Sequence, residues 1–237
     1  MSTTELTKPP ILFLPGTAGF LSFYHSYLLR YLRDRYNIIY IEFPGIQMLP
    51  GKPFNLISNL TEVENTLRYV LKSIDTDIYY FGHSWGTCIG NMIIENDKEE
   101  KIKKVVLLEP PIMTDVNGRI LFNPSDSEKN NWFIKNVYKL LFKSTGMMMY
   151  MIRVLMHPFN IYPGNKFFSY LKTNKTMIWL SSNDCLIDYQ MSSKIYGFIG
   201  CKIITSNTYH GLCIIDKKYK KHIYNIIEFI DKKNVQN

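Results

Sequence analysis

A serine between two glycines is the centre of the chain's candidate chemistry. The five residues Gly82-His83-Ser84-Trp85-Gly86 have the pattern G-x-S-x-G, with an apolar run at Ile78–Phe81 before them and a helix-like segment at Thr87–Glu95 after them. Strand, tight turn and helix in that order are typical of a nucleophile elbow, which lifts a serine hydroxyl clear of a sheet. Small residues are needed on both sides because strand and helix approach closely there. We therefore predict that Ser84 is a nucleophile.

A serine nucleophile needs a base, and His210 is the best placed of the chain's five histidines. It lies in a loop, Asn207–Gly211, after the last predicted strand, and Gly211 frees the backbone to aim the ring. His25 lies upstream of the serine, and the remaining histidines lie in the pentapeptide, in an insertion or in a terminal helix: His83, His157 and His222. Acid and then histidine follow the serine in this kind of architecture. We predict His210 as the base.

The carboxylate that orients the base should stand just past the strand before the histidine's own strand. Asp184 stands there, after the predicted strand Met177–Leu180, and is the expected acid. Asp188 is close enough along the chain to compete. Glu109 is a third candidate because it ends the preceding predicted strand. The residues therefore favour Asp184 and leave the two alternatives open.

Backbone N–H groups must stabilise the negative oxygen of a tetrahedral intermediate. One donor should be Trp85, the residue after the serine, and the other should be Thr17, or failing that Ala18, in the turn after the first predicted strand. Five residues are expected to contact substrate: Gly16, Ala18, His83, Trp132 and Met148. Acyl transfer by this set needs neither a metal nor an organic cofactor, and none is expected.

Length and composition suit one soluble α/β domain: 237 residues, 46% of them hydrophobic and 20% charged. Four cysteines without metal-ligand spacing argue against a zinc site or a disulfide framework and favour a cytoplasmic location. We expect no secretory signal and no membrane-spanning helix. The net charge of +8 comes without a nucleic-acid-binding motif, so nucleic acid is not an expected partner. Attraction to an anionic lipid surface is the alternative to a merely solvated surface.

Short apolar runs alternate with segments of helical period, which predicts a mostly parallel sheet with crossover helices. The predicted strands are Pro10–Leu14, Asn37–Phe43, Ile78–Phe81, Lys104–Leu108, Met177–Leu180 and Lys202–Thr205. The predicted helices are Leu21–Arg35, a segment from Thr61 to Ile74, Thr87–Glu95 and a terminal helix from Tyr219 to Ile230. Residues 1–111 and 174–237 should form the core. Residues 112–173 contain apolar helical segments and no strand-like run, which predicts a cap or lid.

The Gly16 loop, the Ser84 elbow, Asp184 and His210, in this order, resemble the α/β-hydrolase superfamily over almost the entire chain. The resemblance implies an α/β-hydrolase fold with a helical cap after the sixth strand of the usual order. Only about ten residues precede the first predicted strand, so the N-terminal antiparallel hairpin should be absent or reduced and the sheet should have about six strands. A serine nucleophile argues against the epoxide hydrolase and dehalogenase branch.

A narrower resemblance concerns the loop and the predicted cap. The stretch Pro15–Tyr24 is similar to the P-G-x-x-G…F-Y stretch of the lipid-droplet-associated hydrolase family. Asn117-Gly118-Arg119, followed by Trp132-Phe133, is similar to that family's cap entry. Thr17-Ala18 departs from the family's loop, where a second proline is usual. The resemblance implies a serine hydrolase of lipid or sterol esters, held at a droplet surface by apolar cap segments, with the nucleophile, acid and base predicted above.

The function predicted from these features is hydrolysis of carboxylic esters with apolar acyl groups. A cap rich in methionine and aromatic residues favours apolar substrates, although any helical insertion must bury an apolar face of its own. A thioesterase, an acyltransferase, an aminopeptidase or a small-ester esterase would use the same catalytic residues. A non-catalytic lipid-binding protein with this fold is the other class, and Met147–Met156 would then be the element that inserts into a droplet or membrane. The oligomeric state is not predicted.

Overall fold

One sheet of parallel strands is the frame of the molecule. The computed structural model describes residues 8–16, 24–25, 27–41, 60–110, 171, 175–184, 187–211, 214 and 217–232. The strands are β1 (Pro10–Leu14), β2 (Asn37–Tyr40), β3 (Ile78–His83), β4 (Ile102–Leu108), β5 (Thr176–Ser181) and β6 (Lys202–Ser206). Their order across the sheet is β2-β1-β3-β4-β5-β6, and every pairing is parallel. The predicted fold class, with about six strands, is confirmed.

Helices cover both faces of the sheet. Within the described ranges they are α1 (Leu28–Leu32), α2 (Leu60–Ser73), α3 (Trp85–Asn96), α4 (Tyr189–Ile199) and α5 (Lys220–Asp231). Successive strand residues point to opposite faces, so β1 places Leu12 and Leu14 against α2 and α3, and Ile11 and Phe13 against α1 and α5. Burial on both faces explains why the strands read as continuous apolar runs.

The order of the strands creates a crevice at one point of the sheet. The chain runs from β1 outward to β2 and then returns to β3 on the other side of β1. Ligands of such sheets bind where the order reverses, outside the carboxyl ends of the strands. Gly16 follows β1 and Ser84 follows β3, so the two residues lie at this reversal.

The start of β4 and the end of β2 differ from the limits predicted from the sequence. β4 begins at Ile102, before the predicted Lys104, because Ile102 is buried and pairs with Ile78 of β3. β2 ends at Tyr40, and the Ile41 N–H still donates to the Phe13 carbonyl of β1 at 3.2 Å. Residues 42 and 43 of the predicted strand lie outside the described residues.

Residues 111–170 lie outside the described residues, so the cap at 112–173 and the core boundaries at 111 and 174 stay predictions. Of the predicted helix Leu21–Arg35, helical backbone is described at Tyr24–His25 and in α1. Among the helices that the structure describes, none has the length and apolar character required to cross a membrane.

Candidate active site

Ser84 occupies a strained turn between β3 and α3. Its φ of 49° and ψ of −119° lie in a region that non-glycine residues rarely adopt. Such a conformation costs about 1–3 kcal/mol and persists only where the surrounding structure enforces it. The Ser84 N–H donates to the Leu108 carbonyl at 2.8 Å, and the Ser84 carbonyl accepts from Thr87 N at 2.9 Å. The turn is therefore fixed on both sides, by β4 and by the first turn of α3.

Close packing explains the two glycines of the pentapeptide. A Cβ on Gly86 would lie 2.2 Å from the Leu14 carbonyl oxygen, and a Cβ on Gly82 would lie 2.9 Å from the Thr87 backbone. Both distances are too short for real atoms. The small residues therefore let α3 begin directly against the ends of β1 and β3.

His210 contacts the serine from the loop after β6. Its Nε2 lies 2.9 Å from the Ser84 Oγ, and its Nδ1 lies 2.6 Å from the Asp184 Oδ2. Gly211 follows with a φ of 77°, the left-handed conformation that glycine adopts without strain. The hydroxyl, the imidazole and the carboxylate thus form one hydrogen-bonded chain, although 126 positions separate Ser84 from His210.

Asp184 is held in the loop after β5 by contacts of its own. Its Oδ1 accepts from the Ile187 N–H at 3.0 Å, which leaves Oδ2 for the imidazole. The neighbouring Asn183 N–H donates to the Thr208 carbonyl at 3.1 Å, so the acid's loop is tied to the histidine's loop. Asp188, the competing acid, instead caps α4 by accepting from the Met191 N–H at 2.9 Å.

Electrostatics make His210 an unusually strong base. Burial alone would lower its pKa, but the charges of Asp184 and Glu109 and the hydrogen bond to Asp184 outweigh burial and raise the pKa to about 9. Stabilising an imidazolium in this way is what acid–base catalysis by a serine–histidine pair requires.

His83 lies buried behind the serine. The Tyr24 hydroxyl accepts from the Gly16 N–H at 2.9 Å, and it lies 2.7 Å from the His83 Nδ1. With that N–H accepted, the hydroxyl proton is directed to Nδ1, and the Nε2–H of His83 donates to Glu109 at 3.2 Å. Burial lowers the pKa of His83, which fits this neutral form. A Cβ on Gly16 would lie 2.8 Å from the His83 Nδ1, so the loop after β1 packs directly on the ring.

Comparison with known proteins identifies the family. The lipid-droplet associated hydrolase family matches residues 7–181. The chain belongs to this family. No curated protein sequence matches the chain.

Solved structures agree on the fold. MenH from S. aureus superposes with a TM-score of 0.60 at 16% identity, covering 97% of this chain and 96% of its own. Naproxen esterase from Bacillus subtilis superposes with a TM-score of 0.61 at 15% identity, and the match covers 97% of this chain and 86% of the esterase. A putative lipase from Acinetobacter baumannii superposes with a TM-score of 0.60 at 15% identity, and the match covers 96% of this chain and 86% of the lipase. At such identities the likeness supports the fold alone.

Several predicted site residues fall outside the described residues. These are Thr17 and Ala18 in the loop after β1, and Trp132 and Met148 in the predicted cap. Trp85 is the first residue of α3, directly after the serine. The oxyanion donors and the substrate contacts therefore stay predictions.

The described part of the chain also holds a cluster of metal-ligand types. Ligand atoms of His83, Glu109 and His210 lie within 4.8 Å of one another. Each of these side chains is already engaged in the hydrogen bonds around the serine, to Tyr24, Ser181 and Asp184 respectively. We therefore interpret the cluster as a hydrogen-bonded network and not as a metal site.

Sequence reasoning missed the two side chains that complete this network. Ser181, at the end of β5, donates its hydroxyl proton to Glu109, and Tyr24 bridges Gly16 and His83. The Phe-Tyr pair of the family resemblance was the available signal for Tyr24. Ser181 carried no signal, because its partner lies on a different strand.

Proposed function

We propose that this protein is a serine hydrolase that cleaves carboxylic esters of apolar, lipid-like acyl groups. The observation that supports it best is the hydrogen-bonded chain from the Ser84 hydroxyl through the His210 ring to the Asp184 carboxylate. Membership of a lipid-droplet associated hydrolase family supports the hydrolase class and a lipid substrate.

The proposed reaction proceeds through an acyl-enzyme. The Ser84 oxygen attacks the ester carbonyl while its proton passes to the Nε2 of His210, and Asp184 stabilises the imidazolium through Nδ1. His210 then gives the proton to the departing alkoxide, which leaves as an alcohol. A water molecule repeats the cycle: it loses a proton to His210, attacks the acyl-enzyme and releases the carboxylic acid with restoration of the serine.

Oxyanion stabilisation is assigned to backbone donors. The Trp85 N–H belongs to the first residue of α3, where helix N–H groups lack intrahelical partners. Thr17 is the proposed second donor. His83 was predicted as a substrate contact, but both of its ring nitrogens bond within the protein, to Tyr24 and Glu109. We therefore assign it a supporting position behind the serine.

A fluorophosphonate probe tests the nucleophile. We expect labelling of the native chain, none of Ser84→Ala, and native labelling of the control Ser73→Ala, whose hydroxyl bonds only near its own helix end on an exposed surface. Equal labelling of native chain and Ser84→Ala, or none of either, would favour a non-catalytic binding protein.

A substrate panel tests the acyl preference. Hydrolysis of p-nitrophenyl esters from acetate to palmitate is measured for the native chain, for His210→Ala and for a control variant, His25→Ala. The control alters an exposed histidine that is hydrogen-bonded to Arg33. We expect rates that rise with chain length and are lost only in His210→Ala. Activity confined to acetate would point to a small-ester esterase, and faster cleavage of acyl thioesters would point to a thioesterase.

A further inference from the structure

Glu109 is a buried carboxylate directly after β4 that the proposed reaction does not yet use. Its side chain is fully shielded from solvent. Its backbone φ is 49°, so Glu109 and Ser84 both have a positive φ, which residues other than glycine rarely adopt, at neighbouring strand ends. A charged side chain is seldom buried without partners, and a strained backbone persists only where contacts enforce it.

The Glu109 carboxylate contacts groups on three neighbouring elements around the base. Oε1 accepts from the Ser181 hydroxyl, and Oε2 accepts from the Gly211 N–H, the residue next to His210. Oε2 also accepts from the His83 Nε2–H at 3.2 Å. Finally, Oε2 lies 3.5 Å from the His210 Nδ1.

Asp184 remains the nearer partner of the base, since its Oδ2 lies 2.6 Å from the same nitrogen. The two carboxylates therefore lie near the same ring nitrogen of His210, and each is held at the end of a different strand. Asp184 follows β5, and Glu109 follows β4.

We propose that Glu109 is a second acidic partner of His210, one that positions the base through Gly211, stabilises its imidazolium form together with Asp184, and takes over part of Asp184's task when that residue is lost. The inference rests on the proposed function, because it assigns a role within the same site. Glu109 is here a positioning residue, since it acts through His210 and does not touch the serine.

The charges support this role. Burial alone would raise the pKa of Glu109, but the charge of His210 and the hydrogen bond from His83 hold it at about 2, so the carboxylate is ionised. His83 donates to Glu109 as a neutral ring, since burial lowers its own pKa. The negative charge is therefore available to His210.

The first test replaces the charge and keeps the shape. In Glu109→Gln, the acid limb of the kcat/KM profile for a p-nitrophenyl ester should move to lower pH by about one unit, because one of two negative charges beside the imidazolium is gone. Asp188→Asn is the matched control: it removes the charge of a carboxylate that caps α4 by accepting from the Met191 N–H, and its acid limb should stay at the native position. An unmoved acid limb in Glu109→Gln would overturn the proposal.

The second test removes Asp184 and measures how much activity Glu109 can still support. Asp184→Ala removes the nearer carboxylate without adding a donor beside Nδ1, so its activity should remain roughly tenfold or more higher than that of His210→Ala. The double variant Asp184→Ala/Glu109→Gln should lose this remaining activity. Should Glu109→Gln fail to fold, equality of Asp184→Ala and His210→Ala would still overturn the proposal.

Labelling of Ser84 separates this proposal from the proposed function. Fluorophosphonate is applied to the same preparations. Labelled native protein with an unmoved acid limb in Glu109→Gln rejects the role of Glu109 and leaves the hydrolase intact. An unlabelled native chain rejects the hydrolase, and the role of Glu109 with it.

Discussion

His210 is placed so that its charged form is the favoured one. One nitrogen faces the Ser84 hydroxyl, and the other faces two carboxylates, of Asp184 and Glu109, at 2.6 and 3.5 Å. This arrangement stabilises the imidazolium that forms during acyl transfer, but it also keeps the free base protonated at neutral pH. The pH dependence of the reaction is therefore a direct reading of the site's electrostatics.

We expect kcat/KM of the native chain to rise with pH through a midpoint near pH 9, since the base is the neutral ring and the pKa of His210 is raised to about 9. The measurement uses a p-nitrophenyl ester, with Ser84→Ala as the blank for spontaneous hydrolysis. A profile already level at pH 7 would contradict the picture of a base held between two charges.

The three residues of the hydrogen-bonded chain could be selected from sequence, while their surroundings could not. Ser84 had a local pattern, and Asp184 and His210 followed from strand order and loop position. Glu109 was only one candidate acid among three. Its partners Ser181 and Gly211 lie at the end of β5 and in the loop after β6, and only the register across the sheet determines which strand ends meet. The catalytic roles themselves stay predictions.

Among the elements, the junction of β3 with α3 tolerates the least change. We expect Gly86→Ala to lower the free energy of unfolding by about 2 kcal/mol or more and to suppress labelling of Ser84, because the new Cβ would lie 2.2 Å from the Leu14 carbonyl oxygen. In α4, a Cβ on Gly197 meets nothing within 4 Å. Gly197→Ala should therefore raise stability by about 0.5–1 kcal/mol. Urea unfolding of both variants checks this, and equal effects would contradict the close approach at the elbow.

The turn from α3 to β4 depends on a buried aspartate. Asp97 accepts from the Lys101 N–H at 3.0 Å and from the Ile102 N–H at 2.8 Å. Asp97→Ala should cost about 1–3 kcal/mol of unfolding free energy, because a buried N–H loses its acceptor. Asp77→Ala is the control: Asp77 is exposed and lies 3.4 Å from Lys103, so its loss should cost at most about 1 kcal/mol. Chemical denaturation that ranks the two in the opposite order would refute this assignment.

The elements were predictable where burial is continuous and less so at their ends. All six strands have apolar centres, which is why each was found. Their limits depend on hydrogen-bond register, as at Ile102, which belongs to β4 because it pairs with Ile78 of β3. Lys103 and Lys104 separate Ile102 from the apolar centre of the strand, so the sequence pattern places the start of β4 too late.

At the scale of the whole molecule, the sequence has two features that could hold the chain at a lipid surface: a net charge of +8 and the largely apolar run Met147–Met156, which contains Arg153. They make different predictions. Attraction by charge acts at anionic surfaces and weakens with salt, whereas insertion of an apolar segment acts at neutral surfaces and does not. The second is the mode that the family resemblance predicts, through the apolar cap segments.

We therefore expect the chain to float with neutral-lipid droplets at both low and high salt, since the attachment that the family resemblance implies is made by apolar cap segments. Met148→Glu should move much of the protein into the aqueous fraction, because a charge in the segment that is predicted to insert would oppose its burial in hydrocarbon. Phe198→Glu is the matched control, as Phe198 is 95% exposed on α4 of the core and should not be needed. Flotation fractions give the comparison: a chain that stays aqueous, floats only at low salt, or is released by Phe198→Glu alone would reject attachment through the predicted cap.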